Sequence, residues 1–94
     1  MKSLFEVSLI EPSPIPLLQR AIKIDKNYHQ AYGRLAECYL EKGKFKKAFD
    51  SCKQAIFLAP EKPEYHHAMG NIYRSTSQDM EALKAYRKAR DLGS

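Results

Sequence analysis

Three histidines and two cysteines are the residues of this 94-residue chain best suited by type to hold a metal or to supply a nucleophile. His66 and His67 are adjacent, so on a helix their side chains diverge by about 100° and do not grip one ion as an i, i+4 pair does. With His29 they are expected to be ordinary side chains, His66 half-buried and His67 outward. Cys38 and Cys52 are too few for a disulfide framework, and both sit inside apolar helical patterns, where Cys behaves as a small hydrophobe. A catalytic thiol needs a low pKa, access and a neighbouring base, so these two are expected to be reduced and structural. The four glycines are scattered rather than gathered into a phosphate-binding loop. No metal, no cofactor and no enzymatic activity are expected.

Charge is the next candidate. The net charge is +5, with Lys42, Lys44, Lys46, Lys47 and Lys53 in one cluster and Arg74, Lys84, Arg87, Lys88 and Arg90 in another. Such clusters could meet RNA, an acidic protein or an anionic membrane. No aromatic interleaves with them as a base-stacking platform would, so a solvated helical surface is the favoured reading and nucleic acid is not favoured as a partner.

The elements that must position these residues follow from apolar spacing. Tyr32, Leu35, Ala36, Tyr39 and Leu40 recur at three- and four-residue steps, which predicts a helix from His29 to Lys42 closed by Gly43. Phe45, Ala48, Phe49, Cys52, Ala55, Ile56 and Leu58 predict a second, ended by Pro60. Pro63 suits the first turn of a third helix, with Tyr65, Met69, Ile72 and Tyr73 inward and an end near Thr76. Asp79 is an N-cap or first-turn acid for a fourth, whose stripe is Ala82, Leu83, Tyr86, Ala89 and Leu92. Upstream, Leu17, Leu18, Ala21, Ile22 and Ile24 predict a further helix starting between Pro14 and Pro16, with Ser13 as a cap. Met1, Leu4, Phe5 and Leu9 would form only a short stub or a frayed terminus. Phe57 turns away from this scheme and is expected either beneath Tyr28 or on a contact surface.

A shift of 34 residues superimposes Tyr39 on Tyr73, Ala48 on Ala82, Ala55 on Ala89 and Leu58 on Leu92. A recurrence of small and apolar residues at this period points to stacked helical hairpins. Tyr32, Leu35, Ala36, Tyr39, Gly43, Ala48, Cys52, Ala55 and Pro60, then His66, Met69, Gly70, Tyr73, Ala82, Tyr86 and Ala89, resemble the tetratricopeptide repeat. The departures are Cys52 and His66 in aromatic slots, Ser77 where a turn Gly is common, and the prolines of the incomplete first unit. The resemblance implies an all-α superhelix of antiparallel helix pairs. Residues 1–15 would be an irregular segment or helix stub, and 16–94 the repeat domain, divided into a partial unit (16–28) and full units (29–62 and 63–94).

The resemblance also implies a role: a non-catalytic scaffold whose first helices line a concave groove for a peptide or partner protein. The groove set would be Gln30, Gly33, Glu37 and Leu40 with Glu64, His67, Asn71 and Arg74. A subgroup of the family grips C-terminal carboxylates with basic groove residues. Asn71 matches its asparagine, but His67 replaces its lysine and Glu37 is acidic, which disfavours that ligand. A second expectation is self-assembly into a homo-oligomer through the last helix, at Leu83 and Tyr86, because a solenoid needs a polar cap. Two full units also fall short of the ~3 repeats that usually confer independent stability. No run reaches the ~18 apolar residues of a membrane span and the first residues lack the core of a secretory signal, so an intracellular, cytoplasmic location is expected.

Overall fold

The computed structural model describes residues 13–93 and folds them into five helices: α1 (Ile15–Ile24), α2 (His29–Glu41), α3 (Phe45–Leu58), α4 (Pro63–Ser75) and α5 (Asp79–Asp91). The stub expected around Met1, Leu4, Phe5 and Leu9 lies outside the described residues.

Each boundary has a local cause. The Ile15 N–H donates to Ser13 Oγ at 3.2 Å, so Ser13 serves one of the orphan donors of α1 while the prolines occupy its first turn. Gly43, two residues past the end of α2, closes the helix: its φ of +76° lets Lys44 N–H reach Tyr39 O at 2.9 Å and Gly43 N–H reach Leu40 O at 3.0 Å. The end of α4 repeats this closure one period later: Gln78 N–H donates to Tyr73 O at 2.8 Å and Ser77 N–H to Arg74 O at 3.1 Å. Here the left-handed residue is Ser77, with φ of +63°. Asp79 is the first residue of α5, and with Glu81 it sets acid at the helix N-terminus while Lys88 and Arg90 set base at the C-terminus.

α2 with α3 and α4 with α5 make two hairpins; α1 packs on α2 and α3 on α4. The first helices of the hairpins, α2 and α4, also touch each other, whereas α3 and α5 stay apart. This asymmetry bends the stack, closing it on the α2/α4 side. The core runs through Leu35, Ala36, Tyr39, Ala48, Cys52, Met69 and Ile72, with Ala55, Ala59 and Tyr65 beside it. Ala48, Cys52 and Ala55 are fully buried, since small side chains let the helices approach closely.

The α1 stripe is narrower than expected. Ile15, Leu18 and Ile22 pack on the core, while Leu17 and Ile24 lie on other sides of the helix, 68% and 82% exposed. Ile15, Leu18 and Ile22 follow the i, i+3, i+7 rule, and the remaining apolar residues lie outside that row. Gln19 Nε2 donates to the Tyr39 hydroxyl at 3.2 Å, tying α1 to α2. Phe57 is 77% exposed and so is not packed beneath Tyr28.

Candidate functional site

Two cavities open on the α2/α4 side. One, of about 350 Å³, is lined by Ala36, Glu37 and Leu40 of α2 and by Pro63, Glu64, His67, Ala68 and Asn71 of α4. The other, of about 250 Å³, is lined by Gln30, Gly33, Arg34 and Glu37 with Glu64 and Tyr65. Glu37 and Glu64 border both, so the two form one groove divided by a pair of carboxylates. Gln30, Glu37, Leu40, Glu64, His67 and Asn71 therefore share one surface, and Arg74 lines neither cavity. Arg74 lies in the last turn of α4, past the stretch that faces α2. The expected set lacked Ala36, Ala68 and Pro63, which had been given scaffold or boundary roles or none. It also lacked Arg34, although the residue is four after Gln30 and three before Glu37 and so belongs to the same helical row.

The floor at Tyr65 is built by an exchange between hairpins. In the second hairpin the Tyr86 ring lies over Gly70, where a Cβ would come within 2.5 Å of it. In the first hairpin the slot equivalent to Tyr86 holds Cys52. There Tyr65, from the next hairpin, lies over Gly33 at an equally close 2.5 Å from a would-be Cβ. Tyr65 is fixed by a 2.7 Å hydrogen bond between its hydroxyl and His29 Nδ1, and Cys52 Sγ donates to the Tyr65 carbonyl at 3.1 Å. Burial, then the charges of Glu64, the Cys52 thiol, Glu37 and Glu61, raises the Tyr65 pKa. Burial also pushes the Cys52 thiol up to about 12, far from the low pKa that a nucleophilic cysteine needs. The half-buried Cys38 thiol is raised too, chiefly by burial and then by Glu41.

At the other end of the groove the Tyr86 hydroxyl donates to Asn71 Oδ1 at 2.6 Å. That bond commits the amide oxygen to the fold and leaves the two N–H donors of Asn71 for the groove. The His67 ring centroid lies 5.2 Å from that of Tyr86, so Tyr86 contacts both His67 and Asn71 among the groove residues of α4. His66 faces elsewhere, its Nε2 bonded to Pro60 O at 2.9 Å. The three histidines thus have three separate settings.

On α5, Leu83 is 46% exposed, while Tyr86 is half-buried against Gly70. Met80, outside the expected apolar stripe, is 70% exposed. The basic clusters lie on exposed helix surface: Lys47 Nζ sits 5.8 Å from the Tyr39 ring centroid, Lys53 Nζ 5.7 Å from that of Phe49, and Lys46 is 3.7 Å from Asp50. Exposed pairs of this kind contribute little to stability. Among the described residues no helix is long and apolar enough to cross a membrane.

Comparison with known proteins places this geometry. The tetratricopeptide repeat family description matches residues 15–72, more than half of the chain. Among solved structures, a crystal structure of MamA superimposes with a TM-score of 0.82 at 27% identity, over 92% of this chain and 52% of that one. MamA from MSR-1 gives 0.77 at 29% identity, over 83% and 45%, and MamA from AMB-1 gives 0.76 at 29%, over 83% and 46%. The chain thus spans about half the length of these solved chains. A comparison with curated proteins gives no match.

Proposed function

Because this chain belongs to the tetratricopeptide repeat family, a family whose members generally serve as non-catalytic protein-interaction scaffolds, we propose that it binds a peptide segment of a partner protein in the groove between α2 and α4. The observation that carries the reading is the convergence of Glu37, Leu40, Glu64, His67 and Asn71 on one open cavity. Helix faces that serve only packing are apolar and covered, whereas Glu37, Glu64, His67 and Asn71 are polar and line an open concave surface. Asn71 offers two donors held in place by Tyr86, suited to a backbone carbonyl of an extended segment. Peptides selected from a displayed random library on the full chain should bind with affinity that falls roughly tenfold on Asn71→Ala, the effect of a hydrogen bond left unmade. Selected peptides indifferent to both Asn71→Ala and Leu40→Ser would contradict the groove.

A second reading, self-association through α5, is favoured by the exposure of Met80 and Leu83 on one helix. It makes the oligomeric state depend on those two side chains rather than on the groove.

A further inference from the structure

The groove is two-toned, and its two tones select a ligand. Ala36, Leu40, Pro63 and Ala68 make the larger cavity apolar, while Glu37 and Glu64 stand on opposite walls where the two cavities meet. Their charge is poorly used within the chain. Among the described residues Glu37 has one ion pair, a 3.9 Å contact with Arg34 in which both side chains are mostly exposed. Glu64 has no ion pair among the described residues. Both carboxylates also act on the Tyr65 phenol that floors the smaller cavity: burial raises its pKa most, Glu64 next, and Glu37 adds to the same shift.

We propose that the groove takes a peptide segment carrying an aliphatic side chain next to an arginine or lysine, the aliphatic group entering between Leu40 and Ala68 and the cation bridging Glu37 and Glu64. This rests on the groove reading above. A neutral or acidic segment covering the same surface would strip water from two carboxylates without replacing it, and an acidic one would add repulsion. A guanidinium satisfies both with charge-assisted hydrogen bonds, and its planar fork suits carboxylates better than an ammonium. The net charge of +5 argues for an acidic partner only at long range. Exposed charges are screened beyond about 8 Å at physiological salt, so the lining decides at contact.

The test uses the full chain and three peptides that differ only in charge, acetyl-GSLXLXGS-amide with X as arginine, serine or glutamate, titrated by calorimetry. The expected order is arginine tightest, then serine, then glutamate. Glu37→Gln with Glu64→Gln should weaken the arginine peptide roughly fivefold, two exposed charge pairs each being modest, and should collapse the order. Asn71→Ala and Leu40→Ser, checked for folding by circular dichroism, report whether binding uses the groove. If peptides bind in a manner sensitive to those two variants but the glutamate peptide is equal or tighter, or the double glutamine variant changes nothing, the basic-ligand inference is overturned and the groove survives. If no peptide binds, or binding ignores both groove variants, both fall.

Discussion

Ser77 and Gly43 occupy the same turn position one period apart, and both have positive φ. Only glycine adopts that region without Cβ strain, which costs other residues about 1–2 kcal/mol. Glycine at 77 also gives up unfolded-state entropy of roughly 0.5–1 kcal/mol. Strain relief should win, so Ser77→Gly is expected to stabilise the chain by about 0.5–1 kcal/mol, read as a raised midpoint in urea; a lowered midpoint would contradict it. Glycine is needed for a different reason at Gly33 and Gly70, where a tyrosine ring occupies the space that a Cβ would take. Alanine gains about 1 kcal/mol of helix propensity but overpacks by about 1–3 kcal/mol. Tyr65 is held by His29 and Tyr86 by Asn71, so neither ring moves aside freely. Gly33→Ala and Gly70→Ala should therefore both destabilise the chain, and a raised denaturant midpoint for either would refute the ring-on-glycine account. Cys52 has a pH signature. Its pKa is raised from 9.0 in the free thiol to about 12 in the fold, so the native state keeps a proton that the unfolded chain loses. Stability contributed by that retained proton is complete below pH 9 and declines as pH rises from 9 towards 12. Compared with Cys52→Ala, the natural chain should lose more stability across that window; parallel losses would show the thiol to be uninvolved.

Helix existence and order were legible because Leu35, Tyr39, Ala48, Ala55, Met69, Ala82 and Ala89 carry a strong 3.6-residue signal, and Gly43, Pro60 and Pro63 mark the breaks. The groove positions came from the family resemblance, and the fold sets Gln30, Glu37, Leu40, Glu64, His67 and Asn71 along the two cavities, with Arg74 outside them. What periodicity does not carry is which apolar residue within a row is covered. Leu17, Ile24 and Leu83 have suitable types for burial, but their exposure depends on how the neighbouring helix crosses, a property of the pair rather than of either sequence. The exchange of Tyr65 for an aromatic at Cys52 was equally hidden, because it links positions in different hairpins. Element-scale exposure on α5 makes its own prediction. If self-association runs through that helix, Met80→Gln with Leu83→Gln should convert any concentration-dependent dimer seen by light scattering to monomer, and an unchanged mass would eliminate α5 as the contact.

At the scale of the molecule, five helices form a stack 51 × 31 × 23 Å in extent, in which contact between α2 and α4 but not between α3 and α5 sets the groove on one side. Glycines under Tyr65 and Tyr86 hold the helices close, and the same two tyrosines present His67, Asn71 and the groove floor. Scaffold and proposed binding surface therefore share their side chains, and loosening Tyr86 should weaken ligand binding before it unfolds the chain. Tyr86→Phe, which removes only the hydroxyl bonded to Asn71, is expected to leave the fold within about 1 kcal/mol of the original, the usual net worth of one hydrogen bond, while reducing peptide affinity. The most direct measurement is backbone amide shift mapping of the full chain with a library-selected peptide. The account predicts perturbations gathered on residues 30–40 of α2 and 64–71 of α4, with α5 changed only near Tyr86. Perturbations centred on Met80 and Leu83, or on the lysines of α3, with the groove silent, would contradict it.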